Sequence, residues 1–144
     1  MPLIWVLLIA LLLGDYMLTE NSNNSEQSSI VAENEAISGS MQVYKNAIVR
    51  YVEINPSASG TIPDSSLSLP TWYFRIQGVS NYVAFGKVYV YYQGRAELAS
   101  VIAVNTESLT VGINREGILI NPRSGNTGIV LPAAIPENSV VIMQ

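Results

Sequence analysis

The residues able to carry chemistry are few and stand apart from one another. Neither His nor Cys occurs among the 144 residues. That removes the commonest general base, the usual zinc ligands, a thiolate nucleophile and any disulfide. Lys45 and Lys87 are the two lysines, and no serine stands at a motif spacing from either to form a Ser/Lys dyad. Glu33 and Glu35 lie two apart on an expected helix, so they diverge and cannot work as paired carboxylates. Gly112 and Gly117 belong to an expected hairpin, and no Gly-Lys-Ser/Thr follows them, so there is no phosphate loop. Carboxylates nowhere repeat at calcium-loop spacing. The expectation is a protein that is not an enzyme, with no catalytic residue, no metal and no cofactor.

Surface chemistry remains. Tyr89, Tyr91 and Tyr92 crowd the end of an expected strand and are the candidate partner surface. Aromatics alternating along a strand also serve core and cross-strand packing. Apolar residues make up 49 % of the chain and charged residues 12 %, with eight tyrosines. Such a composition is globular and suits a surface that meets other protein. The net charge of −4 is unevenly spread. All of the acids Asp15, Glu20, Glu26, Glu33 and Glu35 precede the first base, Lys45. The rest of the chain is close to neutral and has no basic cluster, which argues against nucleic acid.

These groups hang on a chain of three parts. Residues 1–18 form an apolar head around Leu3, Ile4, Trp5, Val6, Leu7, Leu8, Ile9, Ala10, Leu11, Leu12 and Leu13, a run without charge. A membrane-spanning helix needs about 17 to 25 apolar residues, and Tyr16, Met17 and Leu18 bring the head near the lower limit. Asp15 could reach the headgroups, and Trp5 and Tyr16 the two interfaces. A cleaved signal peptide is the competing reading, because its apolar region is of similar length. Against it, the head has no Lys or Arg, and no small-x-small cleavage site follows the leucines. A retained membrane anchor is therefore expected, with the acidic flank and body outside the cytoplasm. Residues 19–29 are an Asn- and Ser-rich linker. Residues 30–144 form one domain, large enough to bury a core unaided.

Within that domain one helix is expected over residues 30–54, on the stripe Ile30, Ile37, Met41, Tyr44, Ile48 and Tyr51. Ser28 or Ser29 could cap its start, Asn55-Pro56 should end it, and Gly39 is a soft point. The same spacing suits a helix–helix seam, although Asn34 interrupts it. Residues 55–70 read as a surface loop pinned by Leu67 and Leu69. A strand is expected over Trp72–Ile76 and a long central one over Tyr82–Tyr92, with Gly86 a bulge or close approach. Residues 95–105 suit helix or strand. Leu109–Ile113 and Gly117–Ile120 flank a tight turn, residues 122–128 form a loop, residues 129–131 suit a short strand, and Val140–Met143 closes the chain as a last strand. The fold class is α+β: an N-terminal membrane segment, and one long helix packed on a mainly antiparallel sheet, pilin-like in outline.

The apolar head, the run Met41-Gln-Val-Tyr-Lys-Asn-Ala-Ile-Val-Arg-Tyr51, the step Leu69-Pro-Thr-Trp-Tyr73 and the strand end Tyr89-Val-Tyr-Tyr-Gln-Gly94 resemble the small PilM proteins. Those belong to type IVb (thin) pilus operons, such as those of conjugative plasmids. The resemblance spans most of the chain, and its motifs are structural. It implies a bacterial inner-membrane component of pilus assembly or pilin transport, with a periplasmic domain that contacts other pilus proteins or pilins. An unrelated actin-like ATPase shares the name, but this chain lacks that protein's length and a phosphate loop. A pilin precursor carries its apolar run after a cleavage-site Gly. Here the run precedes Gly14, so processing by a prepilin peptidase is not expected. The rival reading is a secreted or surface-exposed binding module, minor-pilin-like or adhesin-like, released after signal cleavage. The oligomeric state stays open.

Overall fold

The computed structural model describes the backbone of residues 2–144 and the side chains of residues 3–13 and 26–144. The chain divides into two compact units, Met1–Asn34 and Glu35–Gln144. Helix α1 runs from Pro2 to Ile54. The polar linker is thus helical, not a break, and neither Ser28 nor Ser29 caps a helix start. Asn and Ser disfavour a helix interior only weakly, and extending a formed helix costs far less than nucleating one.

In the first unit the large apolar side chains between Leu3 and Leu13 are 49–78 % exposed. Among the described residues no helix is long and apolar enough to cross a membrane. The crossing segment expected over residues 1–18 is not found among the described residues, and its part after Leu13 lies outside the described side chains. Eleven apolar residues rise only about 16 Å along a helix, half of a hydrocarbon core. The roles expected of Asp15 and Tyr16 fall on side chains outside those described. Ile30 is half exposed and does not begin the core stripe.

The second unit is the α+β body. After α1 come a short 3₁₀ turn at Asp64–Ser66 and six strands: β1 (Val79–Ala84), β2 (Lys87–Gln93), β3 (Val111–Arg115), β4 (Ile118–Asn121), β5 (Gly125–Val130) and β6 (Ser139–Met143). Helix α2 (Ala96–Thr106) follows β2 and resolves the ambiguous stretch. The strands form one sheet in the order β1-β2-β6-β3-β4-β5, and all neighbours are antiparallel. The C-terminal strand sits in the middle, buried at all five positions. Its place explains why Val140-Val-Ile-Met143 is apolar on both faces.

One face of the sheet carries Val79 and Val83 of β1, Val88 and Val90 of β2, Val140 and Ile142 of β6 and Val111 of β3. They share a core with Ile37, Met41, Tyr44, Ile48 and Val52 of α1 and with Leu98, Ala99, Ile102 and Ala103 of α2. The α1 spacings of four, three, four and four keep one stripe toward the sheet. Helix α1 passes unbroken through Gly39 and ends at Ile54, one residue short of Asn55-Pro56. The other face holds a smaller cluster of Tyr89, Val141, Met143, Leu119, Leu131 and Ile135. At Gly112 the chain has no room for a side chain: a Cβ there would stand 2.3 Å from the Ile120 carbonyl oxygen.

Several strand expectations need correction. Residues 72–76 form no strand. Tyr73 turns back to bond the Pro70 carbonyl through its N–H at 3.0 Å, and strand propensity counts only where a ladder partner and a face to pack on exist. The long strand Tyr82–Tyr92 is two strands, turned at Phe85-Gly86 between the paired Ala84 and Lys87. Both turn residues have positive φ, 52° and 75°, as a two-residue primed hairpin requires. Phe is an unusual occupant, since the left-handed region costs a residue with a Cβ roughly 1–2 kcal/mol. Residues 125–128, expected in a loop, belong to edge strand β5.

Candidate functional site

The α1 stripe brings one polar group into the core. Tyr44 is buried, and its hydroxyl donates to Asp64 Oδ1 at 2.6 Å while accepting from Asn81 Nδ2 at 2.7 Å. Asn81 faces inward because it alternates with Val79 and Val83 on β1. Its amide also holds the backbone of Ile62, taking the N–H at 2.8 Å and giving to the carbonyl at 2.9 Å. Arg75 donates through Nε to Asp64 Oδ2 at 2.8 Å and through Nη1 to the Val79 carbonyl at 2.6 Å. Its guanidinium lies 5.8 Å from the Tyr44 ring centre. Tyr73 stacks on Tyr44 at 6.3 Å and donates its hydroxyl to the Ser40 carbonyl at 3.1 Å.

This cluster works as a latch. Burial pushes the Tyr44 phenol far above its usual range, and the bond to Asp64 adds to the rise. Burial also raises Tyr73, against the opposing bond from Ser40. Both stay neutral at physiological pH and cannot act as bases. Asp64 is held by two donors, and the Asn81 amide is bonded on both sides. What the cluster does is fasten the loop of residues 61–76 to α1 and β1. The Arg75–Asp64 ion pair itself is about 40 % exposed on each side, so it contributes little alone. Asn114 and Asn121 are similar latches. Asn114 bonds the Ile135 and Pro136 carbonyls, and Asn121 bonds the Val111 carbonyl and the Arg123 and Ser124 N–H groups.

The latch leaves Trp72 and Phe74 facing outward, 68 % and 84 % exposed. They border a groove whose floor is the Ala36, Gly39, Ser40 and Val43 face of α1. These positions recur at i, i+3, i+4 and i+7, a second helix stripe distinct from the core stripe. At the far end of β1, Phe85 is fully exposed at the hairpin tip. Sequence reading assigned Trp72 and Phe74 to a strand and Phe85 to a strand interior. The signal that could have found the tip was Phe-Gly between two alternating runs.

The tyrosines named from the sequence do not share one surface. Tyr89 is buried in the smaller cluster, Tyr91 packs beside it on the same face, and Tyr92 packs into the main core on the opposite face. Period-two alternation separates Tyr91 from Tyr92. Burial raises the Tyr89 phenol above its usual range. The head residues Leu3 to Leu13 are, by contrast, all at the surface. Among the described residues no group of three His, Cys, Asp or Glu could hold a metal.

Comparison with known proteins bears on most of the chain. A sequence model of the PilM family matches residues 7–143. A crystal structure titled as PilM of Escherichia coli B7A superimposes with a TM-score of 0.60 at 24 % identity, over 79 % of this chain and 93 % of that one. A second, titled as a pilM protein of Pseudomonas aeruginosa 2192, is 35 % identical over 76 % of this chain and 93 % of that one, with a TM-score of 0.49. No curated protein matched. The match from residue 7 to residue 143 takes in the apolar run from Leu7 onward, the latched loop and the six-stranded sheet, and the chain belongs to the PilM family of pilus-related proteins.

Proposed function

We propose that the chain is a non-enzymatic component of type IVb pilus assembly or pilin transport, held at the bacterial inner membrane by residues 3–13 with its α+β body in the periplasm. One observation carries this reading: an unbroken apolar run, exposed on every side of its helix. A water-facing surface rarely leaves more than a few hundred Å² of contiguous apolar area, so the run needs an apolar phase to cover it. Its length fits the apolar region of a signal-like segment, and its rise reaches about one leaflet. Insertion into one leaflet, without crossing, is consistent with both. The body then works by contact with other pilus proteins. Fusing alkaline phosphatase and a cytoplasm-only reporter in turn to Gln144 tests the side: periplasmic activity supports the reading, and activity from the cytoplasmic reporter alone overturns it.

The short run also favours a second reading, a module released after cleavage of the head. N-terminal sequencing of the mature protein separates the two. Met1 supports the anchor, and a start between Gly14 and Ser29 supports release.

A further inference from the structure

We propose that copies of this chain associate head-to-tail, with Phe85 of one copy seated in the Trp72–Phe74 groove of the next. The knob is a phenyl ring fully exposed at a hairpin tip, held where backbone φ is +52°. Asn, Asp or Gly suits that position better, so this Phe works against the fold that carries it. Strain of this kind collects where a side chain is presented to something. Its flanks are Ala84 and Gly86, which leave the ring clear to enter a cleft.

The hole is the groove between α1 and the loop of residues 72–76. It has no charge along Ala36, Gly39, Ser40 and Val43, and its aromatic rim is open. No atom stands within 4 Å of where a Gly39 Cβ would be, which leaves space for a ring above the helix backbone. Opposite charges stand near the two sites in the chain: Lys87 is exposed two residues after the knob, and Glu35 is exposed one residue before Ala36 of the groove floor. Knob and hole lie toward opposite ends of β1, with Phe85 following Ala84 and Ile76 preceding Val79. The contact is therefore heterologous and extends into a ring or a row. One ring and a short groove bury less than a stable dimer needs, so the association is weak and relies on high local concentration, such as confinement to a membrane supplies. The inference does not depend on which machinery the chain serves.

Sedimentation of the full chain in detergent, over a rising concentration series, tests it. The parent should grow in size with concentration. Phe85→Asn should melt higher than the parent, because Asn suits the turn, yet stop associating. Gly39→Trp, which fills the hole, should also stop associating while melting like the parent. Mixed together, these two variants should form a dimer and nothing larger, since one intact knob meets one intact hole. Should either variant fold poorly, charge exchange replaces it: Lys87→Glu or Glu35→Lys alone should weaken association several-fold, and the pair together should restore it. A parent that stays one size at every concentration, variants that associate like the parent, or a mixture that gives no dimer would each overturn the proposal. So would a double exchange that restores nothing.

Discussion

Helix α1 contains two stretches rich in large apolar residues that differ in pattern and behave as opposites. Between Leu3 and Leu13 every position is apolar and every described side chain is exposed. Between Ile37 and Val52 the residues Ile37, Met41, Tyr44, Ile48 and Val52 form a core stripe that is at most 8 % exposed. The difference is periodicity. A stripe matches one sheet face and is consumed by a core. An all-round apolar run has no polar side to leave in water, so covering it takes an apolar phase. The stripe is thus the origin of the body's stability.

The sharpest test of the stripe is Ile48→Ala. Ile48 is fully buried between α1 and the sheet, and such truncations cost about 2–5 kcal/mol. Chemical denaturation should show a loss of that size, while Gln42→Ala on the same helix should change little. Gly112→Ala comes next. Its Cβ would meet the Ile120 carbonyl at 2.3 Å, and forcing strands β3 and β4 apart should cost about 1–3 kcal/mol or more. Asn81→Ala removes the amide that satisfies Ile62 and the donor to Tyr44. Buried backbone groups left unpaired cost about 1–3 kcal/mol, and the loop of residues 61–76 should become protease-sensitive before the rest of the body. A cut elsewhere first would contradict the latch.

The pH dependence follows from the tyrosines. Tyr44, Tyr73 and Tyr89 all have raised values in the folded chain, whereas in the unfolded chain tyrosine titrates near pH 10. Below that pH both states are protonated and the stability is fully present. As pH climbs above about 10, the unfolded state ionises first and stability falls. Melting temperature should therefore drop on the alkaline side. Replacing Tyr44 by Phe should reduce that slope, although it also loosens Asp64.

Much of this was legible from residue order. The α1 stripe from Ile37 to Ile48, its end before Pro56, the hairpin around Glu116-Gly117 and the last strand at Val140–Met143 all follow from period and turn chemistry. Other parts were not. Phe85-Gly86 hid a turn because Phe is a strand residue that seldom adopts positive φ. Trp72–Ile76 alternates like a strand but forms none; Tyr73 bonds the Ser40 carbonyl and Arg75 bonds Asp64 and the Val79 carbonyl, contacts between residues that period alone does not bring together. The tyrosines looked like a surface because one-dimensional pattern cannot say which sheet face lies over the second cluster. The groove and the hairpin tip became visible only when α1 and the loop were set side by side.

Membrane retention probes the proposed role of residues 3–13. Leu7→Asp with Leu8→Asp places two charges in the apolar run and changes no residue of the body. The parent full chain should stay in the membrane fraction through an alkaline carbonate wash, and the double variant should appear in the soluble fraction with an unchanged melting temperature of the body. A double variant that remains membrane-bound, or a parent that washes off as readily as the variant, would contradict the assignment of residues 3–13 as the segment that locates this protein.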